Sequence, residues 1–287
     1  MDTHQNRIIS FDWAAKFILR DKANFDILEG LVSTVLEQPV HIVELLESES
    51  NQRFESDKFN RLDIKAKDEK GDLILIEIQL TRELYFIQRI IYAAAKTIID
   101  HIGLSNHYSN VKKIYSINIL YFDFGKGSDY LYHGWNSLTG VHTGDTLMVT
   151  KKEDDGFRIV GSGSIFPEYY LLRVNQFDSD GDSPLEHWMR YLKYGIIDES
   201  TTVPGLVPAA ERLAYVKMSY KEQRAYDEYC YDMAYQNNVI AAYKLEGKTE
   251  GQAETSLEIA RRMKAMGMSV DTISQVTQLP SEVIGSL

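Results

Sequence analysis

The chain has 287 residues, with 31 lysines and arginines against 42 aspartates and glutamates and a formal net charge of −11. A chain of this length buries most of its unfolded surface without metal or disulfide staples, and a composition 44% hydrophobic and 25% charged excludes a disordered polymer. The acidic balance excludes a globally basic, DNA-coating surface, although a local patch or bound cations can still meet phosphate.

The single cysteine, Cys230, cannot form an internal disulfide and excludes Cys-based zinc motifs. Asp2, Asp12 and Lys16 stand where a signal peptide needs an apolar core, and no run approaches the roughly 18 uncharged apolar residues of a membrane span. The expectation is a cytoplasmic protein with no membrane segment.

Taken in chain order, residues 11 to 37 carry apolar positions at helical spacing, interrupted around Asp21 to Asn24, which predicts two helices or one broken helix. Pro39 ends it, and Val40 to Leu46 reads as a first strand. After a polar segment, Glu47 to Asn60, the alternation of Arg61 to Lys67, a turn at Asp68 to Asp72 and the apolar run Leu73 to Leu80 predict a hairpin with a deeply buried second strand. Arg82 to Ile102 has the helical period, with Gly103 at the capping position, and Val111 to Phe122 is again a strand. The long helical crossover implies that this strand runs parallel to its neighbour.

Four short strands follow at Asp129 to His133, Asp145 to Thr150, Phe157 to Val160 and Tyr169 to Val174, as a sheet extension. Helices resume at Pro184. Tyr220 to Met266 is largely helical and weakened at Gly247 and Gly251, and the end reads as two short helices about a turn at Gln278 to Pro280. The expected organisation is residues 1–180 as an α/β domain with its sheet extension, 181–246 as a helical region, and 247–287 as a helical tail.

The hairpin holds the informative residues. If its five-residue turn is symmetric about Lys70, Lys67 faces Leu73, Lys65 faces Leu75 and Asp63 faces Glu77, with Cβ atoms of opposed residues about 5 Å apart on one face. Gln79, two residues on, shares that face. A carboxylate amid isoleucines and leucines is costly, and two facing carboxylates repel unless something positive lies between them. A hard divalent cation removes that penalty, since Mg²⁺ binds through one or two carboxylates plus waters, and a metal so placed can polarise a phosphodiester and support hydrolysis. The competing structural reading shifts the register by one, puts Asp63 at a solvent-facing hairpin end and pairs Glu77 with a lysine or arginine such as Lys65 or Arg89. From spacing alone both readings stand.

Leu62-Asp63, the glycine turn, Ile76-Glu77-Ile78-Gln79 and then Phe86, Arg89 and Tyr92 on the next helix resemble the PD-(D/E)XK nuclease superfamily, with the Rpn-type recombination-promoting nucleases and transposases as the most similar branch. The resemblance covers roughly Ile8 to Phe122. It implies a restriction-endonuclease-like αβββαβ core with a mixed sheet, followed here by the extra short strands and the helical C-terminal region. It further implies a Mg²⁺- or Mn²⁺-dependent DNA endonuclease of recombination or mobile-element type, with Asp63 and Glu77 as metal ligands and catalytic acids. Gln79 stands where the superfamily motif usually has lysine. Glutamine cannot supply the positive charge, so more falls on the metal, on Lys65 or on Arg89, which is expected to assist charge. The alternative is a catalytically inactive relative that keeps the fold as a DNA- or protein-binding module.

Other residues carry less. Arg89 and Tyr92 share a helix face and could hold a phosphate. Glu29 and Glu44 are candidates for a further acid in the metal shell. The histidines lack zinc spacing, Ser162-Gly163-Ser164 is too weak for a phosphate-cradling loop, and no nucleotide-binding glycine pattern occurs. The tyrosines dense between Tyr215 and Tyr243 read as packing or as a seam for self-association. The closing segment suggests a helix-turn-helix, but its second helix carries no lysine or arginine, so a protein contact is at least as plausible as DNA reading.

Overall fold

A computed structural model describes residues 8–46, 63–102, 108, 111–153 and 156–287. The sequence readings on Glu47 to Leu62, Gly103 and His107 lie outside the described residues. The broken helical pattern resolves into two helices, α1 (Phe11–Phe17) and α2 (Phe25–Leu36), joined through a short 3-10 turn at Lys22–Asn24 that Asp21 caps by accepting from the Ala23 N–H at 2.9 Å. Then come β1 (Ile42–Leu46), β2 (Ile64–Asp68), β3 (Leu73–Gln79), α3 (Phe86–Ile102) and β4 (Ile114–Leu120). Helix α3 starts at Phe86 rather than Arg82, and residues 81–85 form the turn that leads into it.

The remaining elements of this part are β5 (Leu131–Gly134), β6 (Met148–Glu153), β7 (Gly156–Gly161), β8 (Glu168–Arg173), α4 (Pro184–Tyr194) and α5 (Leu206–Arg212). One six-stranded mixed sheet has the order β1-β2-β3-β4-β8-β5. Its first three strands pair antiparallel, β3, β4 and β8 run parallel, and β5 closes the edge antiparallel to β8. The crossover through α3 does make β4 parallel to β3, as the length of the connection requires. Of the four short strands, β5 and β8 extend the sheet, whereas β6 and β7 pair only with each other as a separate two-stranded ribbon.

Both faces of the sheet are buried. On one, Leu73 and Leu75 of β3 and Ile114 of β4 pack against Ala93 and Ala94 of α3, and Leu120 joins Phe86, Ile90 and Phe122. On the other, Ile74, Ile76, Ile117 and Ile119 are fully buried. That two-sided burial is why β3 reads as a run rather than an alternation.

Residues 181–219 belong to the same compact unit, which spans Met1–Ser219. Phe11 of α1 meets Trp188 and Tyr191 of α4 edge-on at centroid distances of 6.2 and 6.1 Å, and the Tyr191 hydroxyl donates to the Ile9 carbonyl at 2.9 Å. Helix α2 touches the segment before α5 so closely that a Cβ on Gly30 would lie 2.3 Å from the Pro204 carbonyl oxygen. Gly30→Ala is therefore expected to cost about 2–3 kcal/mol in urea unfolding; a loss under about 0.5 kcal/mol, the usual scale of a surface change, would mean that the two segments part without resistance.

The second unit, Tyr220–Leu287, comprises α6 (Tyr220–Ala265), α7 (Val270–Thr277) and α8 (Ser281–Ser286). Helix α6 runs unbroken through Gly247 and Gly251. Ala260, Ile273 and Ile284 form a small core in which one residue comes from each helix. Among the described residues no helix is long and apolar enough to cross a membrane.

Candidate functional site

The hairpin has the register that a turn symmetric about Lys70 requires: Lys67 opposes Leu73, Lys65 opposes Leu75 and Ile64 opposes Ile76. One further step puts Asp63, just ahead of β2, opposite Glu77. The Asp63 carboxylate Oδ2 accepts a 2.7 Å hydrogen bond from the Ile78 N–H, and the Asp63 carbonyl accepts from Arg20 at 2.9 Å. These bonds tie Asp63 to the end of β3 through its side chain and to Arg20 through its backbone.

Side chains two apart on a strand share a face, so Glu77 and Gln79 lie with Leu73 and Leu75 on the face covered by α3. Arg89, on the first turn of that helix, reaches down to them. Its Nη2 donates to Glu77 Oε1 in a short ion pair, while Nη1 donates to Gln79 Oε1 at 3.1 Å and to Glu83 Oε2 at 2.7 Å. Gln79 Nε2 donates to the Thr81 carbonyl at 3.0 Å, which fixes the amide so that its oxygen faces Arg89. Glu77 is buried, its side chain 7% exposed, and Arg89 is partly so.

Burial by itself would lower the Arg89 pKa, but Glu77, then Glu83 and Asp63, outweigh it and hold the guanidinium above its usual value. Arg89 therefore stays a cation among three carboxylates. Of the competing structural reading, the shifted register is not found, but the ion pair it allowed for Glu77 is present, with Arg89 as its partner. Lys65 is turned elsewhere: burial lowers its pKa, and the acid acting on it is Asp100, at the far end of α3.

The other candidates are occupied away from this cluster. Glu29 Oε1 accepts from the Ile42 N–H at 2.7 Å. Glu44 pairs with Lys67 at 2.8 Å, and hydrogen bonding to that lysine lowers its pKa. Tyr92 is exposed on α3. Ser162 Oγ accepts from the Leu138 N–H at 2.9 Å, a loop contact rather than a phosphate cradle. His133 and Tyr170 both bond Glu168 Oε2 at 2.9 Å and stack on one another at 4.2 Å, a network closed by Lys113 at 2.7 Å from Glu168 Oε1.

Two residues beside the acids are not singled out by the sequence. Glu83 lies in the turn before α3 and reads there as a solvated acid; its pairing with Arg89 depends on where the turn bends. Asn118 does carry a signal, a polar residue inside Ile117-Asn118-Ile119, of the same kind that marks Glu77 within Ile76-Glu77-Ile78. It is fully buried and sits directly beside Glu77 in the parallel register of β3 and β4.

Asp63 and Glu77 offer anionic oxygens of the kind that hard divalent cations take. Among the described residues no group of three or more histidines, cysteines, aspartates or glutamates is arranged to hold a metal, so within them any third side-chain ligand beside this pair is of another type. The arrangement can bind a cation through two carboxylates and present an arginine beside it. No curated protein and no solved structure matches the chain. A family model described as PD-(D/E)XK nuclease family transposase matches residues 9–152.

Proposed function

Because the chain belongs to the PD-(D/E)XK nuclease family of transposases, we propose that it is a divalent-metal-dependent DNA endonuclease of recombination or mobile-element type, in which Asp63 and Glu77 hold Mg²⁺ or Mn²⁺. The reading is carried by the shared face of Asp63, Glu77 and Gln79, with Arg89 directed onto it. The donor set suits such a cation, being two carboxylates, Glu77 near the end of the buried strand β3 and Asp63 facing it from just ahead of β2. When bound, the cation would polarise the scissile phosphodiester and lower the pKa of the attacking water.

The remaining work falls to the chain. Gln79, anchored through Thr81, orients a water or a phosphate oxygen by hydrogen bonding and contributes no charge. Arg89 supplies that charge: with Glu77 engaged as a metal ligand, its guanidinium would be free to turn to the phosphate oxygens, for which its planar fork of donors is suited. Self-association falls to the second unit, where Tyr231, Tyr235, Tyr243 and Leu245 are exposed along α6.

One observation favours a second reading. Arg89 already neutralises Glu77 and Gln79 replaces the usual lysine, a combination that suits a catalytically inactive module that binds DNA or protein. Plasmid nicking separates the two. The purified protein is expected to nick supercoiled DNA with Mg²⁺ or Mn²⁺ and to lose that activity as Asp63→Ala or Glu77→Ala; equal activity in all three would remove the enzyme from these residues.

A further inference from the structure

The cation site described so far has two ligating side chains, and its third neighbour is an asparagine. Asn118 lies on β4 beside Glu77, on the face covered by α3, and is 0% exposed. Its amide nitrogen is fully engaged, donating to the Ser116 carbonyl and Ser116 Oγ at 3.1 Å each and to the Tyr170 carbonyl at 3.2 Å. The nitrogen is thus held back along β4 and toward β8, which leaves Oδ1 on the side away from β8, the side on which Glu77 is the registered neighbour.

That oxygen has no hydrogen-bond partner among the described residues, although it is buried. A buried carbonyl oxygen without a donor costs about 1–3 kcal/mol, and such a group in a native fold calls for an explanation, among them a bound ion or water. The nearest chemistry that would satisfy it is positive. Apolar replacements fit a buried strand without that cost, yet the amide is held rigidly by two strands.

We propose that Asn118 Oδ1 is the third oxygen donor of the cation site, a neutral ligand that meets the cation, directly or through one of its waters, alongside Asp63 and Glu77. Two anionic oxygens and one amide oxygen form a donor set that Mg²⁺ and Mn²⁺ accept. It fits the finding that, among the described residues, no third acid or histidine is arranged with the pair to hold a metal. The inference rests on the proposed metal-holding role of Asp63 and Glu77 and adds a ligand to it.

The test is Mn²⁺ binding by titration calorimetry to the full chain, with no DNA present. Asn118→Asp, which turns the donor into a carboxylate at the same place, is expected to tighten binding by roughly tenfold or more, and Asn118→Leu, of similar volume, to weaken it by a similar factor. Should Asn118→Leu fail to fold, the aspartate variant and the direction of its change decide alone. Affinities within about twofold of the wild type in the folded variants would overturn the role of Asn118. In that event a loss of binding in Glu77→Gln shows that the acid pair still holds the metal, whereas no Mn²⁺ binding by the wild type removes both.

Discussion

Glu77→Gln and Asp63→Asn are each expected to lower Mg²⁺-supported plasmid nicking by about 10²- to 10³-fold, the scale on which removing one group that stabilises developing charge acts. Both substitutions keep the shape of the side chain. In Asp63→Asn the new amide still has an oxygen to accept from the Ile78 N–H, and in both variants Gln79 and Arg89 keep their mutual bond. Each variant loses one negative charge at the cation site, and Glu77→Gln also turns the Arg89 ion pair into a neutral hydrogen bond, while Glu83 and solvent still neutralise the partly exposed guanidinium. Melting without metal should therefore change by only a few degrees, on the scale of about 1 kcal/mol, while the nicking rate collapses. A variant that keeps its nicking rate, or that loses it only because it unfolds, would contradict the assignment.

The second large effect concerns Arg89. Arg89→Met removes the counter-ion of a carboxylate whose side chain is 7% exposed, and stranding a buried charge in this way costs about 3–5 kcal/mol, with the lower end expected here because Arg89 itself is partly solvated. In thermal unfolding that corresponds to a fall of roughly 6–12 °C for a unit of this size. Divalent metal should reverse part of it. A cation that binds the folded protein adds RT ln(1 + [L]/Kd) to stability, and with the guanidinium gone it meets no competitor at Glu77, so the metal-induced rise in Tm should be larger in Arg89→Met than in the wild type. Arg89→Lys should fall between them, because one ammonium cannot span Glu77, Gln79 and Glu83 as the guanidinium does. Equal metal-induced shifts in the wild type and Arg89→Met would show that the arginine and the cation occupy different places.

The legible part of this fold was what depends on neighbouring residues. The period of α2 and α3, the unbroken apolar run of β3 and the turn at Asp68 to Asp72 are local, and the strand register follows from the length of that turn. The parallel pairing of β4 follows from the length of its crossover. The pairing of β6 with β7 outside the main sheet was not legible, because alternation marks a strand without naming its neighbour. Nor was the packing of Trp188 and Tyr191 onto Phe11, which joins residues far apart in the chain and places 181–219 in the first unit.

The site divides along the same line. Asp63, Glu77 and Gln79 share a face by strand geometry alone. Arg89 could be placed near them by helix spacing, but its choice of Glu77, Gln79 and Glu83 depends on the turn of residues 81–85. Asn118 needed the sheet order. Its polar character inside β4 was visible, but that β4 sets it beside Glu77 is known only from the paired strands.

The account rests on Asp63 and Glu77 holding a divalent cation, and the most direct test is a crystal of the full chain soaked in Mn²⁺, measured for anomalous scattering. A single peak between the two carboxylates is predicted, with the Arg89 guanidinium moved off Glu77 to make room. A map with no peak there, with Arg89 still bonded to Glu77 at saturating Mn²⁺, would contradict the account and leave the acid pair as a structural ion-pair cluster.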